Sequence, residues 1–154
     1  MEQLLDIYYQ SVGRNASLLL NFPVNREGRI PSEDSLRAVE WHQAIEKRFA
    51  HDLLKDCKVT RNDTPSEMIF TFDEPTTLSC LVLQERIDLG QRVERFTISR
   101  YRNGKWLPLE TNEETTTIGY KRIIRIKPAE MEKLRIRFIK VRGPVVMKKV
   151  SGYR

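Results

Sequence analysis

Arg95-Phe96-Thr97-Ile98-Ser99-Arg100-Tyr101-Arg102-Asn103-Gly104-Lys105-Trp106-Leu107-Pro108-Leu109 is the stretch on which the fold turns. Two strand-like runs flank Asn103-Gly104. Asn-Gly in that setting is the strongest short hairpin signal, because both turn residues need a positive φ. Pro108 has no N–H to give a ladder, so the returning strand is expected at a sheet edge. Upstream, Met68, Phe70 and Phe72 alternate with Ile69, Thr71 and Asp73, a half-buried strand. Leu78–Leu83 is apolar at both parities, which predicts a central strand. Downstream, residues 121–127, 134–142 and 145–153 read as further strands. In the second of these the inward register runs Leu134, Ile136, Phe138 and then shifts to Ile139 and Val141, predicting a β-bulge near Phe138. Six or more short strands separated by turns predict a mainly-β protein, an antiparallel sandwich or jelly roll.

Before residue 50 the texture changes. Leu4, Leu5, Tyr8 and Val12 form a helical stripe over residues 2–12, and Gly13 is the expected left-handed stop. A second helix is predicted over 32–49, with Ser32 as N-cap and Ala38, Trp41, Ile45 and Phe49 on one stripe. Between them, Ser17-Leu18-Leu19-Leu20-Asn21-Phe22 is apolar at consecutive positions, the habit of a parallel strand covered on both faces. One such strand cannot make a sheet alone. The chain therefore divides into 1–50 and 51–154.

Composition agrees with a core-forming chain: 40% of the 154 residues are hydrophobic and 31% charged. No apolar run approaches the roughly 20 residues a membrane helix needs. The opening MEQLLDIYYQ lacks the basic flank and cleavage site of a signal peptide. Two cysteines, Cys57 and Cys80, leave a disulfide open without requiring one. The net charge of +6 is uneven: residues 1–50 carry 6 Lys/Arg against 7 Asp/Glu, and the rest carry 21 against 14. The basic second half keeps a nucleic-acid reading in view through Lys121, Arg122, Arg125, Lys133, Arg135, Arg137, Lys140 and Arg142. These cations fall on both strand faces among Ile and Val, and no nucleic-acid motif accompanies them, so a solvated surface is the expected reading.

Two segments resemble a known family. Val12-Gly13-Arg14-Asn15-Ala16-Ser17-Leu18-Leu19-Leu20-Asn21-Phe22-Pro23, continuing through Gly28-Arg29-Ile30-Pro31, resembles the end of the catalytic barrel in the alpha-L-fucosidases of glycoside hydrolase family 29. Ala16-Ser17 stands where that family usually has Gly-Asn, and Glu27 where it has Asp. The second segment is Leu83-Gln84-Glu85, Ile87, Leu89-Gly90-Gln91-Arg92-Val93 and Thr116-Thr117-Ile118-Gly119-Tyr120-Lys121-Arg122. It resembles the C-terminal β-sandwich of the bacterial members, a discoidin-like (coagulation-factor five/eight type C), galactose-binding-like fold. The resemblance implies that Leu18–Asn21 is the last strand of a (β/α)8 barrel and that 32–49 is its closing helix. It also implies a periplasmic or secreted parent.

Barrel enzymes place substrate groups at the C-terminal strand ends. Asn21 and Phe22 are therefore candidates for the rim of the substrate site, against the plainer reading that Asn21 bonds loop backbone. Arg14 and Asn15, before the strand, are expected to cap or ion-pair. The family's retaining chemistry needs two carboxyls about 5–5.5 Å apart, and the resemblance puts both upstream of these residues. Glu33–Asp34, Asp73–Glu74 and Glu113–Glu114 read as solvated turn acids. His42, His51, Cys57 and Cys80 lack metal-ligand spacing, and neither cysteine has a nucleophile's context. No catalytic residue, metal or cofactor is assigned.

For the sandwich, the resemblance implies sugar binding through loops at one end. Trp106, Tyr101 and Tyr120 are the candidate platforms, and Arg61, Asn62 and Arg102 the candidate donors. The plainer reading makes these half-buried strand residues of a buttress. Gln91-Arg92 and Thr117–Lys121 read as fold-defining turns. The expectation is an accessory C-terminal module that supports a catalytic barrel and by itself lacks the catalytic carboxylates. The alternatives are an autonomous carbohydrate-binding module or, more remotely, a basic nucleic-acid binder. Orphaned from a barrel, the first 50 residues are expected to fold back onto the sandwich, self-associate or be partly disordered.

Overall fold

The computed structural model describes residues 1–64 and 66–154. In chain order the elements are α1 (Glu2–Gln10), α2 (Ser32–Arg48), β1 (Lys58–Asp63), β2 (Ser66–Glu85), a short 3-10 turn (Ile87–Leu89), β3 (Val93–Arg102), β4 (Lys105–Pro108), β5 (Arg122–Val141) and β6 (Met147–Tyr153). All strand pairs are antiparallel, in the order β1-β2-β5-β3-β4, with β6 also on β2.

Two strands of 20 residues, β2 and β5, organise everything else. Their register breaks between Thr71 and Thr76. The first part of β2 pairs with β1, its last part with β6, and the last part of β5 with β3. Side chains from both parts meet in one core: Met68, Phe70, Leu134 and Ile136 pack with Leu81, Leu83, Ile124 and Ile126. Each long strand thus serves two facing layers of the sandwich. A second register shift, between Leu78 and Cys80, puts both Leu78 and Leu81 inward and turns Cys80 and Val82 outward. The outward pair is covered as well, because Tyr9, Tyr8 and Phe49 of the helical segment lie on it with Ile123 and Tyr153. That is why Leu78–Leu83 is apolar at both parities.

The hairpin forms as read. Asn103 and Gly104 sit at φ 51° and 76°, and Tyr101 faces Trp106 across it. Strand β4, with Pro108, is an edge. Opposite the step from Arg95 to Phe96, β5 carries the extra residue Ile139, so the bulge lies beside Phe138. The predicted shift of the inward face to Ile139 and Val141 does not follow: both are exposed, and the strand leaves the core after Phe138.

Several local expectations are corrected. Strand β1 was not foreseen; Lys58-Val59-Thr60-Arg61-Asn62-Asp63 is exposed throughout and so has no alternating signature. The runs 121–127 and 134–142 are parts of one strand, as are 68–73 and 78–83. Pro31, not Ser32, is the N-cap of α2, and no side chain caps that end. Helix α1 ends at Gln10, and the left-handed residue after it is Asn15 (φ 70°), not Gly13. Gly13 is needed for close approach: a Cβ there would overlap the Tyr9 carbonyl and stand 3.1 Å from the Ile123 side chain. Cys57 and Cys80 are unpaired. Residues 17–22 form no strand; Leu19 is 94% exposed and Asn21 is exposed.

Candidate functional site

Where the helical segment meets the sandwich, polar groups replace apolar packing. The Ile123 N–H donates to the Gly13 carbonyl (2.8 Å), and Arg14 bridges to Arg122. The left-handed Asn15 aims its carboxamide at the next turn, where Oδ1 accepts from the Tyr120 N–H. Gly119, at φ 64°, lies directly under that carboxamide, and any Cβ would strike it. Arg14 reaches Gln10 Oε1 at 3.0 Å. Arg14 and Asn15 are thus structural fasteners, as expected.

Beneath this joint sits Glu85, 1% exposed. Its Oε1 accepts from the N–H groups of Arg92 (2.8 Å) and Val93 (3.0 Å), and its Oε2 from Gly119 (2.7 Å). One carboxylate therefore clamps the two turns, Gln91-Arg92 and Thr117–Lys121, that were read as fold-defining. Glu85 escaped notice as a key residue, although a signal existed: it continues the inward parity of Leu81 and Leu83, where a charge must have a purpose.

Glu113 overturns its reading as a solvated acid. It is buried, and accepts from the Arg125 N–H and from the Arg125 guanidinium, which also reaches Asp6 Oδ1 of α1 at 3.0 Å. Burial pulls the Arg125 guanidinium downward, but Glu113 and Asp6 together outweigh it and raise its pKa. The guanidinium also lies 4.7 Å from the centre of the Tyr9 ring. Burial raises the Tyr9 phenol, and pushes the enclosed Cys80 thiol up to about 12. The third buried carboxylate, Glu67, is held by Arg137 and Asn62. Each buried acid is engaged in holding the fold.

The sugar-binding candidates divide into three places. Tyr101, Arg102 and Trp106 come together on the β3–β4 hairpin, the two rings edge to face at 5.2 Å. Their faces carry cations: Lys133 stands 5.2 Å from the Tyr101 ring centre and Arg135 4.2 Å from that of Trp106. Arg102 is paired with Glu130 and Glu132. Arg61 and Asn62 lie on β1 at the opposite edge, four strand steps or roughly 19 Å away. There Asn62 donates to Glu67, and Arg61 lines a groove of about 610 Å³ with Val59, Met147 and Val150. Tyr120, 58% exposed, stands at the joint beside Asn15.

Of the rim candidates, Asn21 is exposed and Phe22 half-buried. The loop after them is built by Asn25, whose Oδ1 accepts from the Glu27 and Arg29 N–H groups, both at 3.0 Å, with Gly28 at φ 74°. Of the eight basic residues considered for nucleic acid, four are ion-paired: Arg125 with Glu113, Arg137 with Glu67, and Lys140 and Arg142 with Glu94. Arg122 is 6% exposed. Among the described residues, this ion pairing and burial interrupt the row of free cations that phosphate-backbone recognition would use.

No family model matches the chain. Two plant proteins named alpha-L-fucosidase 1, from Oryza sativa subsp. japonica (provisionally so named) and Arabidopsis thaliana, are 31% and 29% identical over 86% and 80% of this chain. The chain spans only about a third of their length, 31% and 30%. Among solved structures, a glycoside hydrolase 29 member from an unknown rumen bacterium is 36% identical, with a TM-score of 0.91 over 99% of this chain and 28% of its own. A Ruminococcus gnavus family 29 fucosidase in complex with fucose is 26% identical, with a TM-score of 0.84 over 99% of this chain and 36% of its own. The sequence relatives being plant proteins, the likeness reaches beyond the bacterial members. The sequence relatives are named alpha-L-fucosidases, the structural neighbours are glycoside hydrolase family 29 members, and the likeness across this chain is consistent with the C-terminal part of such a protein.

Proposed function

We propose that the chain works as the accessory C-terminal region of a longer, retaining alpha-L-fucosidase, holding and bracing the catalytic barrel that removes terminal L-fucose from glycans. The observation that carries this reading is the course of residues 17–22. This apolar run forms no strand and leaves Leu19 94% exposed, and Ile30, Leu36 and Val39 in the same half of the chain are exposed as well. Each large apolar side chain left in water forgoes about 1.5–3 kcal/mol of burial. A cover for this face is what the remaining two-thirds of the relatives' length would supply. The buried carboxylates support an accessory role, since Glu67, Glu85 and Glu113 are each tied to guanidinium or backbone donors. The carbohydrate-binding alternative has less support, because cations cover the Tyr101 and Trp106 rings and the other candidates lie apart. On the same reading the longer enzyme acts in the periplasm or outside the cell.

The test is Leu19→Asp, made both in this chain and in the longer enzyme encoded by its gene. In the enzyme it should lower unfolding stability by about 2–4 kcal/mol, through lost burial and a desolvated charge. In the chain alone the change should stay within about 0.5 kcal/mol. Equal, small effects in both would refute the covered face. A loss in the chain alone, with concentration-dependent gel filtration, would instead make self-association its purpose.

A further inference from the structure

At the C-terminal end of α2 three cationic side chains and a histidine from separate stretches line one cleft. Lys47 and Arg48 come from the last turn of α2, His51 from the segment after it, and Arg154 from beyond β6. Together with Thr76 and Leu53 they line a cavity of about 470 Å³. Among the described residues, none of the four takes part in a salt bridge, whereas Arg125, Arg137, Lys140 and Arg142 all do.

Arg48 is the most telling member. Its Nε is buried without a hydrogen-bond partner, its Nη2 makes a long contact, 3.5 Å, to Ser79 Oγ, and the guanidinium also lies within reach of the Tyr9 phenol. A buried guanidinium donor left unmatched is costly. Lys47 and Arg48 do suit the negative end of the helix dipole, but that accounts for neither His51 nor Arg154. Nor does it account for the unspent donor on Arg48. Mutual repulsion among Lys47, Arg48 and Arg154 is relieved most directly by an anion held between them, with the His51 ring beside it.

We propose that this cleft binds a tetrahedral oxyanion, a sulfate or phosphate monoester, borne by a saccharide or free in solution. Arg48 supplies the fixed, half-buried donors, and Lys47, His51 and Arg154 supply mobile ones at the rim, with the Thr76 hydroxyl beside them. A guanidinium matches two oxyanion oxygens at once, so the tetrahedral group is favoured over a simple halide. The site lies on α2 and β2, away from Tyr101, Trp106 and Arg61, and needs none of the sugar-platform candidates.

The experiment titrates the 154-residue chain, at fixed ionic strength, with sodium sulfate, sodium phosphate, a sulfated galactose oligosaccharide, its desulfated counterpart and a short single-stranded DNA. Binding is followed by amide chemical shifts. The expected result is saturable binding of the sulfated sugar or of the inorganic ions, with shifts confined to residues 47–51, 75–76 and 154. Tighter binding of the sulfated sugar than of free sulfate assigns the ester; equal binding assigns the free anion. Lys47→Gln with Arg154→Gln, both on exposed side chains that leave the fold intact, should weaken binding by about tenfold, and Arg48→Gln by at least as much. Lys105→Gln on β4 should change nothing. The proposal is overturned if the desulfated sugar binds equally, if DNA binds as well with shifts spread over the basic strands, if the double variant binds unchanged, or if no shift saturates.

Discussion

Replacing Glu85 by glutamine removes one charge and two lone-pair directions from the centre of the sandwich while keeping the side chain's size. In the native chain Oε1 takes the Arg92 and Val93 N–H groups and Oε2 takes Gly119, at 2.8, 3.0 and 2.7 Å. Glutamine can keep the Oε1 pair, but its amide nitrogen then meets the Gly119 N–H donor to donor. Stranding that N–H costs about 1–3 kcal/mol, and the two surviving bonds fall from charge-assisted to neutral strength, a further ~1–2 kcal/mol. Some of the loss is returned, because a neutral amide is cheaper to bury than a carboxylate. The net expectation is about 2–4 kcal/mol, a large share of the 5–15 kcal/mol by which domains are stable. Urea unfolding followed by far-UV circular dichroism measures it, and the linear slope should stay unchanged. Amide exchange supplies the local signature: Gly119 should lose protection before Val93, because only the Oε2 bond is abolished. A loss below about 1 kcal/mol, or uniform exchange across both turns, would show that Glu85 is merely tolerated and that the turns hold themselves.

Cys80, wholly buried, should resist a thiol reagent at pH 8 in the folded chain and react only once unfolded. Its folded pKa, about 12, lies above the ordinary thiol range. The folded state therefore holds the proton after the unfolded state has lost it. Stability from this group is complete below pH ~9 and falls as pH rises toward 12, by up to ~1.4 kcal/mol per unit. Cys80→Ala should flatten that slope in urea titrations between pH 8 and 10. Gly119→Ala combines a strained left-handed backbone with a collision against Asn15. It should cost about 2–3 kcal/mol and should not be rescued by Asn15→Ala, which also removes the bond to Tyr120.

What could be read beforehand was what repeats along the chain. The alternation at Met68, Phe70 and Phe72, the Asn103-Gly104 turn and the edge proline all express one local rule each, and each rule held. Strand β1 obeys no such rule; its six residues are exposed, and only its ladder to Ser66–Thr71 makes it a strand. The bends of β2 and β5 were hidden for a related reason. Thr71–Thr76 and Met131–Lys133 resemble turns between separate strands, because a strand that changes layers must break its parity just as a turn does. The polar clamps were hardest to see. Glu113 sits among Asn112, Glu114 and four threonines, a stretch whose composition says solvent, and only the fold brings Arg125 opposite it. The sugar-binding candidates were chosen by chemistry alone and lie in separate places: Arg61 and Tyr101 belong to opposite sides of the sheet, a matter of strand order that no short segment encodes.

The first 50 residues are attached to the sandwich by two contacts of different kinds, and the difference bears on their purpose. Phe49 packs against Tyr153 at 5.1 Å, edge to face, with Tyr8 and Tyr9 around it, an apolar wedge that tolerates small rotations. Gly13, Arg14 and Asn15 add directional bonds to Arg122, Ile123 and Tyr120, which do not. An apolar contact alone would fix the distance between helices and sandwich. Directional bonds fix the angle too, and the Glu85 clamp and the Asp6–Arg125–Glu113 chain make the receiving turns stiff. Between Asn15 and Phe49 the chain runs through residues 16–31 and α2, with Leu19 exposed to solvent. A segment meant only to link two domains needs no such directional bonds. On the proposed reading, holding the apolar run at a set angle lets a covering barrel be received in one orientation, which would tie the bonded joint and the exposure of Leu19 to one purpose.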